Sequence, residues 1–151
     1  MSEIDFSKQP LKEELQSQIE GLGLEKKVRL LGYVPDEALP AYFCACDLFC
    51  LSSVMKTEAF GIVQIEAMSL GKPVVATRIP QSGVSWVNAH GESGRNVTPC
   101  SAEELADAIV DITRDEKTYR AYCDGARLRW QNYFTLDKMI DDVMSIYKRV
   151  L

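Results

Sequence analysis

The sequence lacks the signatures of several common classes of protein. It has no G-x-G-x-x-G and no G-x-x-x-x-G-K-[ST] pattern, which argues against an NAD-type dinucleotide site and a P-loop. Its 17 basic and 22 acidic residues give a net charge of −5, and no run of five basic residues occurs. We therefore expect neither a nucleic acid nor an anionic membrane surface as the main partner. The longest apolar run is far too short to span a bilayer, which leaves at most a peripheral association with membranes.

Ligands for a metal ion are also scarce. The chain has one histidine, His90, and its five cysteines form no C-x-x-C pair. We therefore expect no metal and no other resident cofactor. Three of the cysteines lie in the apolar run "YFCACDLFCL", where cysteine is usually a small packing residue. Reduced cysteines and the absence of an apolar leader in "MSEIDFSKQP" predict a cytoplasmic protein.

Short apolar strands alternate with helices along the 151 residues, a length typical of one ordinary domain. We expect strands at residues 28–31, in "DLFCLSS", in "PVVAT" and in "RNVTP", with a Ser- and Gly-rich loop between the last two. The helices are predicted at residues 11–22, 36–45, 60–70, 101–112, 116–132 and 136–151, with Asp36 as an N-cap and Ser101 and Glu104 as a capping box.

This alternation predicts an α/β fold with a Rossmann-like, doubly wound parallel sheet. We divide the chain into an N-terminal helical segment, residues 1–27, and one ligand-binding domain, residues 28–151. In such folds ligands bind beyond the carboxyl ends of the strands. The loops at residues 52–58 and 77–86 both follow predicted strands, so we expect them to lie at that edge.

Two glutamates stand out in the stretch "TEAFGIVQIEAMSLGKPVVAT". Glu58 precedes a predicted helix and Glu66 lies within it, eight residues later. The first amides of that helix, at residues 60–63, have no intrahelical partner and form a site suited to a phosphate. Ionised carboxylates accept hydrogen bonds from hydroxyl groups. Two such acceptors around a phosphate site match a nucleoside-diphosphate sugar, although a solvated Glu66 is the simpler alternative.

The string "GYVPDEALPAYFCACDLFCLSS…TEAFGIVQIEAMSLGKPVVAT" closely resembles the C-terminal, donor-binding half of retaining GT-B glycosyltransferases of family 4, also called group 1. The resemblance runs from about residue 28 to the end of the chain. The E-x7-E pattern of that family falls on Glu58 and Glu66. The resemblance implies glycosyl transfer from a nucleoside-diphosphate sugar with retention of configuration.

The resemblance also implies roles for particular residues. Glu58 would be the catalytic-site carboxylate that contacts hydroxyl groups of the donor sugar, and Glu66 would contact the ribose. The distal phosphate and the sugar would be held at the start of the helix, and the nucleobase would lie against the "GYV" turn. These segments comprise Phe60, Gly61, Ile62 and Val63 for the donor, and Gly32, Tyr33 and Val34 for the nucleobase.

Some parts of the family pattern have no counterpart here. We find no acceptor-binding domain, no first strand of the donor domain and no pair of basic residues for the leaving diphosphate, although Lys56 or Arg78 could supply one charge. Trp86 stands where many members have a glutamate. The chain therefore resembles a truncated half of the fold that is inactive alone and needs a separate chain to supply the acceptor domain. The alternative is a non-catalytic nucleotide-sugar-binding or assembly subunit of a split glycosyltransferase.

Overall fold

The computed structural model describes residues 11–150. It divides into two compact units, residues 1–40 and residues 41–151. The predicted N-terminal segment, residues 1–27, lies partly outside the described residues. Its boundary at residue 27 stays a prediction.

The first unit contains one helix, α1 (Lys12–Gly21), within its described residues. The N–H of Leu22 donates to the carbonyl of Gln18 at 3.1 Å, and Gly23 follows in the left-handed region with φ of +65°. This end confirms the predicted stop, because glycine enters that region without a Cβ penalty. The strand predicted at residues 28–31 is wrong: these residues form no ladder with any described strand, and a strand needs a partner.

The chain passes from the first unit to the second within α2 (Leu39–Ala45). The predicted start at Asp36 is wrong, since residues 36–38 form a turn before the helix, and the amides of Ala38 and Leu39 donate to the carbonyl of Pro35. The second unit continues with β1 (Phe49–Leu51), α3 (Ile62–Ser69), β2 (Val74–Thr77), α4 (Val84–Val87), β3 (Gly94–Val97), α5 (Ala102–Thr113), α6 (Glu116–Tyr133) and α7 (Leu136–Val150).

The three strands form one parallel sheet in the order β1–β2–β3. Val74 of β2 pairs with Phe49 on one side and with Gly94 on the other. Every residue of β2 is buried, which explains its unbroken apolar centre. Helices α3 and α4 pack on one face, whereas Val75 and Val97 pack with Ala108 and Ile112 of α5 on the other. The predicted doubly wound α/β fold is confirmed.

The capping box predicted at α5 forms only in part. Ser101 Oγ accepts a hydrogen bond from the Glu104 amide at 3.2 Å, as expected. The Glu104 carboxylate accepts from the Thr98 amide at 2.7 Å. That hydrogen bond is the main reason why the pKa of Glu104 lies below its ordinary value.

The cysteines are free but do not fill the core. Cys44, Cys50 and Cys100 are exposed, and the other two are half-buried. The expectation of packing cysteines is therefore wrong. For Cys50 the reason is that β1 borders the sheet among the described strands, so its side chains are only partly covered. No helix within residues 11–150 combines the length and apolar character needed to cross a membrane.

Helix α7 presents a continuous apolar face to solvent. None of its residues is buried. Eight large apolar side chains, spaced three or four residues apart along the helix, are 44–80% exposed: Leu136, Met139, Ile140, Val143, Met144, Ile146, Tyr147 and Val150. Such a stripe contributes little to the core of this chain and leaves an apolar patch on its surface.

We predict that a variant ending at Thr135 keeps the fold of the second unit. Among the described residues, the deletion removes no buried side chain, so the urea midpoint of unfolding should change little, whereas binding of the dye ANS should fall. The full-length double variant Met139→Gln, Val143→Gln is the control, and it should lose ANS binding to a similar extent. Loss of cooperative unfolding in the truncated chain would contradict the prediction.

Candidate functional site

The carboxyl ends of β1 and β2 are joined by one side chain. Thr77 ends β2, is buried, and directs its hydroxyl at the neighbouring strand. Thr77 Oγ1 donates to the carbonyl of Ser53 and lies 3.5 Å from that of Leu51. The loop after β1 is therefore fixed to the end of β2 where it leaves the sheet.

Glu58 lies in the loop after β1, as the sequence predicts. Its amide donates to the carbonyl of Met55 at 3.0 Å, which closes a turn. Its side chain is half-buried and lines an open cavity of about 300 Å³ together with Ser53, Val54, Met55 and Thr57. Gly61 and Ile62 do not line this cavity. The carboxylate is thus held at the carboxyl edge of the sheet.

The loop after β2 is hydrogen-bonded to the loop that carries Glu58. Ser82 Oγ donates to the carbonyl of Glu58 at 2.6 Å and accepts from the amide of Val84 at 3.2 Å. The amide of Gly83 donates to the carbonyl of Ala59 at 2.7 Å. These contacts join the loop after β1 and the loop after β2 along one side of the candidate site. Sequence analysis missed the role of Ser82, because nothing in "QSGV" identifies its partner.

Helix α3 begins at Ile62, two residues later than predicted. Gly61 is its N-cap residue in the left-handed region, with φ of 72° and ψ of 57°, and as a glycine it has no side chain to cap the helix. A Cβ on Gly61 would lie 2.6 Å from Gln64 Nε2 and 2.8 Å from Leu51 Cδ2. The first amides of the helix have no intrahelical partner, and the helix dipole adds a partial positive charge there. The start of α3 can therefore accept an anion.

The predicted donor residues have different environments around this helix start. Phe60 and Ile62 are exposed, Val63 is half-buried and Gly61 is buried. Glu66 is exposed on α3, and its carboxylate makes no hydrogen bond or ion pair with the part of the chain that the structure describes. The contact of Glu66 with a ribose stays a prediction.

Gln64 is a buried polar residue that sequence analysis missed. Its Nε2 lies 3.3 Å from the carbonyl of Phe60 and 3.4 Å from that of Val84. Its Oε1 has no hydrogen-bond partner among residues 11–150. The carboxamide links α3 to the chain that enters it and to α4. The sequence feature that could have indicated a buried glutamine is its position inside the mostly apolar string "GIVQIEAM".

The predicted nucleobase residues lie in the first unit. Gly32, Tyr33 and Val34 belong to the irregular segment before α2, where Gly32 has φ of +69°, Tyr33 is exposed and Val34 is half-buried. The assignment of this turn to a nucleobase stays a prediction.

Arg78 follows β2, but it does not line the cavity beside Glu58. Its Nη2 lies 3.4 Å from the carbonyl of Asn96. It lines a different cavity, of about 490 Å³, together with His90, Arg95 and Glu104. Within residues 11–150 no group of three or more His, Cys, Asp or Glu side chains could hold a metal ion. The expectation that no metal is required stays a prediction.

The Ser- and Gly-rich loop predicted between the last two strands contains a helix, α4, that carries Trp86. The Trp86 ring lies 5.9 Å from Phe60 and 5.6 Å from Phe134, between ring centroids. Tyr133 lies edge-on to Trp86 at 6.3 Å. Sequence analysis did not predict this aromatic cluster, because its members come from three separate segments.

Known proteins match this chain over most of its length. The profile of the family described as "Glycosyl transferases group 1" matches residues 7–129. The chain is 29% identical to the O-antigen chain mannosyltransferase C of Escherichia coli over 142 residues, which are 94% of this chain and 38% of that protein.

Solved structures of HepE from Anabaena have the same fold. The complex of HepE with UDP matches 95% of this chain and 38% of that chain, with a TM-score of 0.83 and 32% identity. The complex of HepE with UDP-glucose matches with a TM-score of 0.80, 31% identity and the same coverage. The chain thus spans less than two fifths of the length of these relatives.

We predict that Gly61→Ala destabilises the protein beyond the cost of its backbone conformation. A left-handed residue other than glycine costs roughly 1–2 kcal/mol, and at Gly61 the added Cβ would also collide with Gln64 and Leu51. Gly23→Ala is the matched control, because Gly23 has φ of +65° and nothing within 4 Å of an added Cβ. Urea unfolding should show the larger loss of stability for Gly61→Ala. Equal losses would mean that Gly61 has room for a side chain.

Proposed function

Because the chain belongs to the group 1 glycosyltransferase family, we propose that it is the donor-binding part of an enzyme that transfers a glycosyl group from a nucleoside-diphosphate sugar. The proposal includes retention of configuration at the transferred sugar and membership of family 4. It assigns the donor-binding domain to residues 28–151. The acceptor-binding domain would be supplied by another chain or segment.

The observation that carries the proposal is the start of α3 at the carboxyl edge of a parallel sheet, directly after the loop that carries Glu58. A helix start with free amides favours phosphate groups, and ligands of such sheets bind at this edge. The likeness to HepE, whose structures contain UDP and UDP-glucose, supports a nucleoside-diphosphate sugar as the ligand.

Each site residue would contact one part of the donor. The amides at Gly61, Ile62 and Val63 would hold the distal phosphate, with Phe60 alongside. Glu58 would accept hydrogen bonds from hydroxyl groups of the sugar. Glu66 would accept from the ribose hydroxyl groups, and the turn of Gly32, Tyr33 and Val34 would contact the base.

In the transfer itself, the bond between the anomeric carbon and the distal phosphate oxygen would break, and a bond to an acceptor hydroxyl oxygen would form on the same face of the sugar. The proton of that hydroxyl group would pass to the departing diphosphate oxygen. The electron pair of the broken bond stays with the departing diphosphate. The N-terminal dipole of α3 would stabilise that added negative charge. Glu58 would hold the sugar in place while the acceptor approaches.

We predict that Glu66→Ala weakens binding of every nucleoside diphosphate that the protein binds. A hydrogen bond to a charged acceptor contributes roughly 1.5–3 kcal/mol, so the affinity should fall about tenfold or more. Titration calorimetry with UDP, GDP and ADP measures this change. Glu103→Ala, which removes an exposed glutamate from α5, is the control and should bind like the wild type. Unchanged affinity of Glu66→Ala would mean that its carboxylate serves only as a solvated surface group.

We predict that the 151-residue chain alone binds nucleotide but transfers sugar slowly or not at all. Among residues 11–150, no lysine or arginine lines the cavity beside Glu58, and the chain spans less than two fifths of the length of its relatives. Preorganised cations at the leaving group and a positioned acceptor both lower the barrier greatly. The test is turnover of UDP-, GDP- and ADP-sugars with and without a candidate partner chain. Rapid transfer by the purified chain alone would refute this prediction.

A further inference from the structure

Arg129 of α6 contacts α4 through two backbone carbonyls. Its Nε lies 3.3 Å from the carbonyl of Val87, and its Nη2 donates to the carbonyl of Trp86. These are the last residues of α4, whose carbonyls have no intrahelical partner. One guanidinium therefore holds the end of a single-turn helix that has little stability of its own.

The same guanidinium lies against three aromatic rings. Its Cζ is 4.2 Å from the ring centroid of Tyr133, 5.2 Å from that of Trp86 and 5.8 Å from that of Phe134. Among the described residues, none of the ion pairs includes Arg129. Its charge is thus directed at rings and carbonyls, which a planar guanidinium can contact together and an ammonium group cannot.

The aromatic cluster reaches the start of α3 through Phe60. The Phe60 ring lies 5.9 Å from Trp86 and 6.4 Å from Phe134. Phe60 directly precedes Gly61, the N-cap residue of α3. A Cβ on Gly83 would lie 2.9 Å from Phe60 Cδ2, so the loop after β2 packs directly against this ring. The direction in which the first amides of α3 point therefore depends on where Phe60 is held.

We propose that Arg129 is a positioning residue for the donor site: it fixes Trp86 and Phe60 and thereby directs the first amides of α3 toward the distal phosphate. This inference rests on the proposed function, because it assigns those amides to a nucleotide ligand. Arg129 touches no part of the donor itself. Its effect passes through two aromatic side chains and one glycine.

The decisive measurement compares UDP with UMP, because only UDP carries the distal phosphate. Titration calorimetry with Arg129→Ala should show about tenfold weaker binding of UDP and UMP binding within twofold of the wild type. Arg129→Lys keeps the charge and the aliphatic stem but cannot contact two carbonyls and three rings together. Its affinity for UDP should therefore lie between those of the wild type and Arg129→Ala. The control is Arg120→Ala on the same helix, whose exposed side chain pairs with Glu116. It should bind both nucleotides like the wild type.

A second measurement follows Trp86 without any ligand. Trp130→Phe leaves Trp86 as the only tryptophan, so its fluorescence reports on the cluster alone. Adding Arg129→Ala in this background should shift the emission to longer wavelength as the ring loses its neighbours. Circular dichroism and the urea midpoint establish that each variant is folded. If Arg129→Ala fails to fold, Arg129→Lys takes its place. A loss of affinity for UDP but not for UMP then supports the inference, and equal affinities of the wild type and Arg129→Lys for UDP contradict it.

Several results would overturn the inference. One is that Arg129→Ala binds UDP as tightly as the wild type, and another is that it loses affinity for UDP and UMP equally. The others are a similar loss of affinity in Arg120→Ala and an unchanged emission spectrum of Trp86 when Arg129→Ala is added. A wild-type chain that binds none of UDP, GDP and ADP would overturn the proposed function, and this inference with it. If the chain binds GDP or ADP instead of UDP, the same comparison is made between that diphosphate and its monophosphate. A loss of affinity in Arg129→Ala that is confined to UDP supports both the proposed function and this inference.

Discussion

Two hydrogen bonds between neighbouring loops hold the candidate site together. Ser82 Oγ donates to the carbonyl of Glu58, and the amide of Gly83 donates to that of Ala59. Past the ends of parallel strands, such carbonyls have no ladder partner, so each needs one from elsewhere. By satisfying them, the loop after β2 fixes the segment that leads into α3. The contact of Gly83 with Phe60 and the start of α4 both follow from this junction.

Apart from α4, the sequence predicted the helices and strands of residues 46–150, because the helices have long hydrophobic patterns and the ends of the elements carry glycine, proline or capping residues. It misplaced the start of α3 by two residues, because Gly61 can enter a helix or stop before it and only the packing around it decides. It missed α4, since four residues are too few to show a helical period. It also predicted a strand at residues 28–31, where an apolar run lacks the partner that would make it one.

The position of α4 was beyond sequence analysis because buried polar contacts determine it. Asn88 Nδ2 donates to the carbonyl of Val74 at 3.1 Å and to Asn96 Oδ1 at 3.0 Å. Asn96 Nδ2 donates to the carbonyl of Asn88 at 2.8 Å, and Ser93 Oγ donates to Asn88 Oδ1 at 3.0 Å. Asparagine and serine in a glycine-rich stretch usually indicate an exposed loop. Here they are buried and link the end of α4 to β2 and β3, so Trp86 is held at a fixed place on the sheet.

The charges around the site show what this part of the fold supplies and what it leaves to other groups. Arg78 lies against the carbonyl of Asn96, and Arg129 lies against carbonyls and aromatic rings, so neither lines the cavity beside Glu58. The positive potential at the start of α3 then comes from the backbone. The helix dipole there is equivalent to about half an elementary charge. The diphosphate of the proposed donor would carry more negative charge than that, and the Glu58 carboxylate would add to the repulsion. Under the proposed function, the described residues would determine the geometry of the bound diphosphate, and its neutralisation would require cations that do not line this cavity.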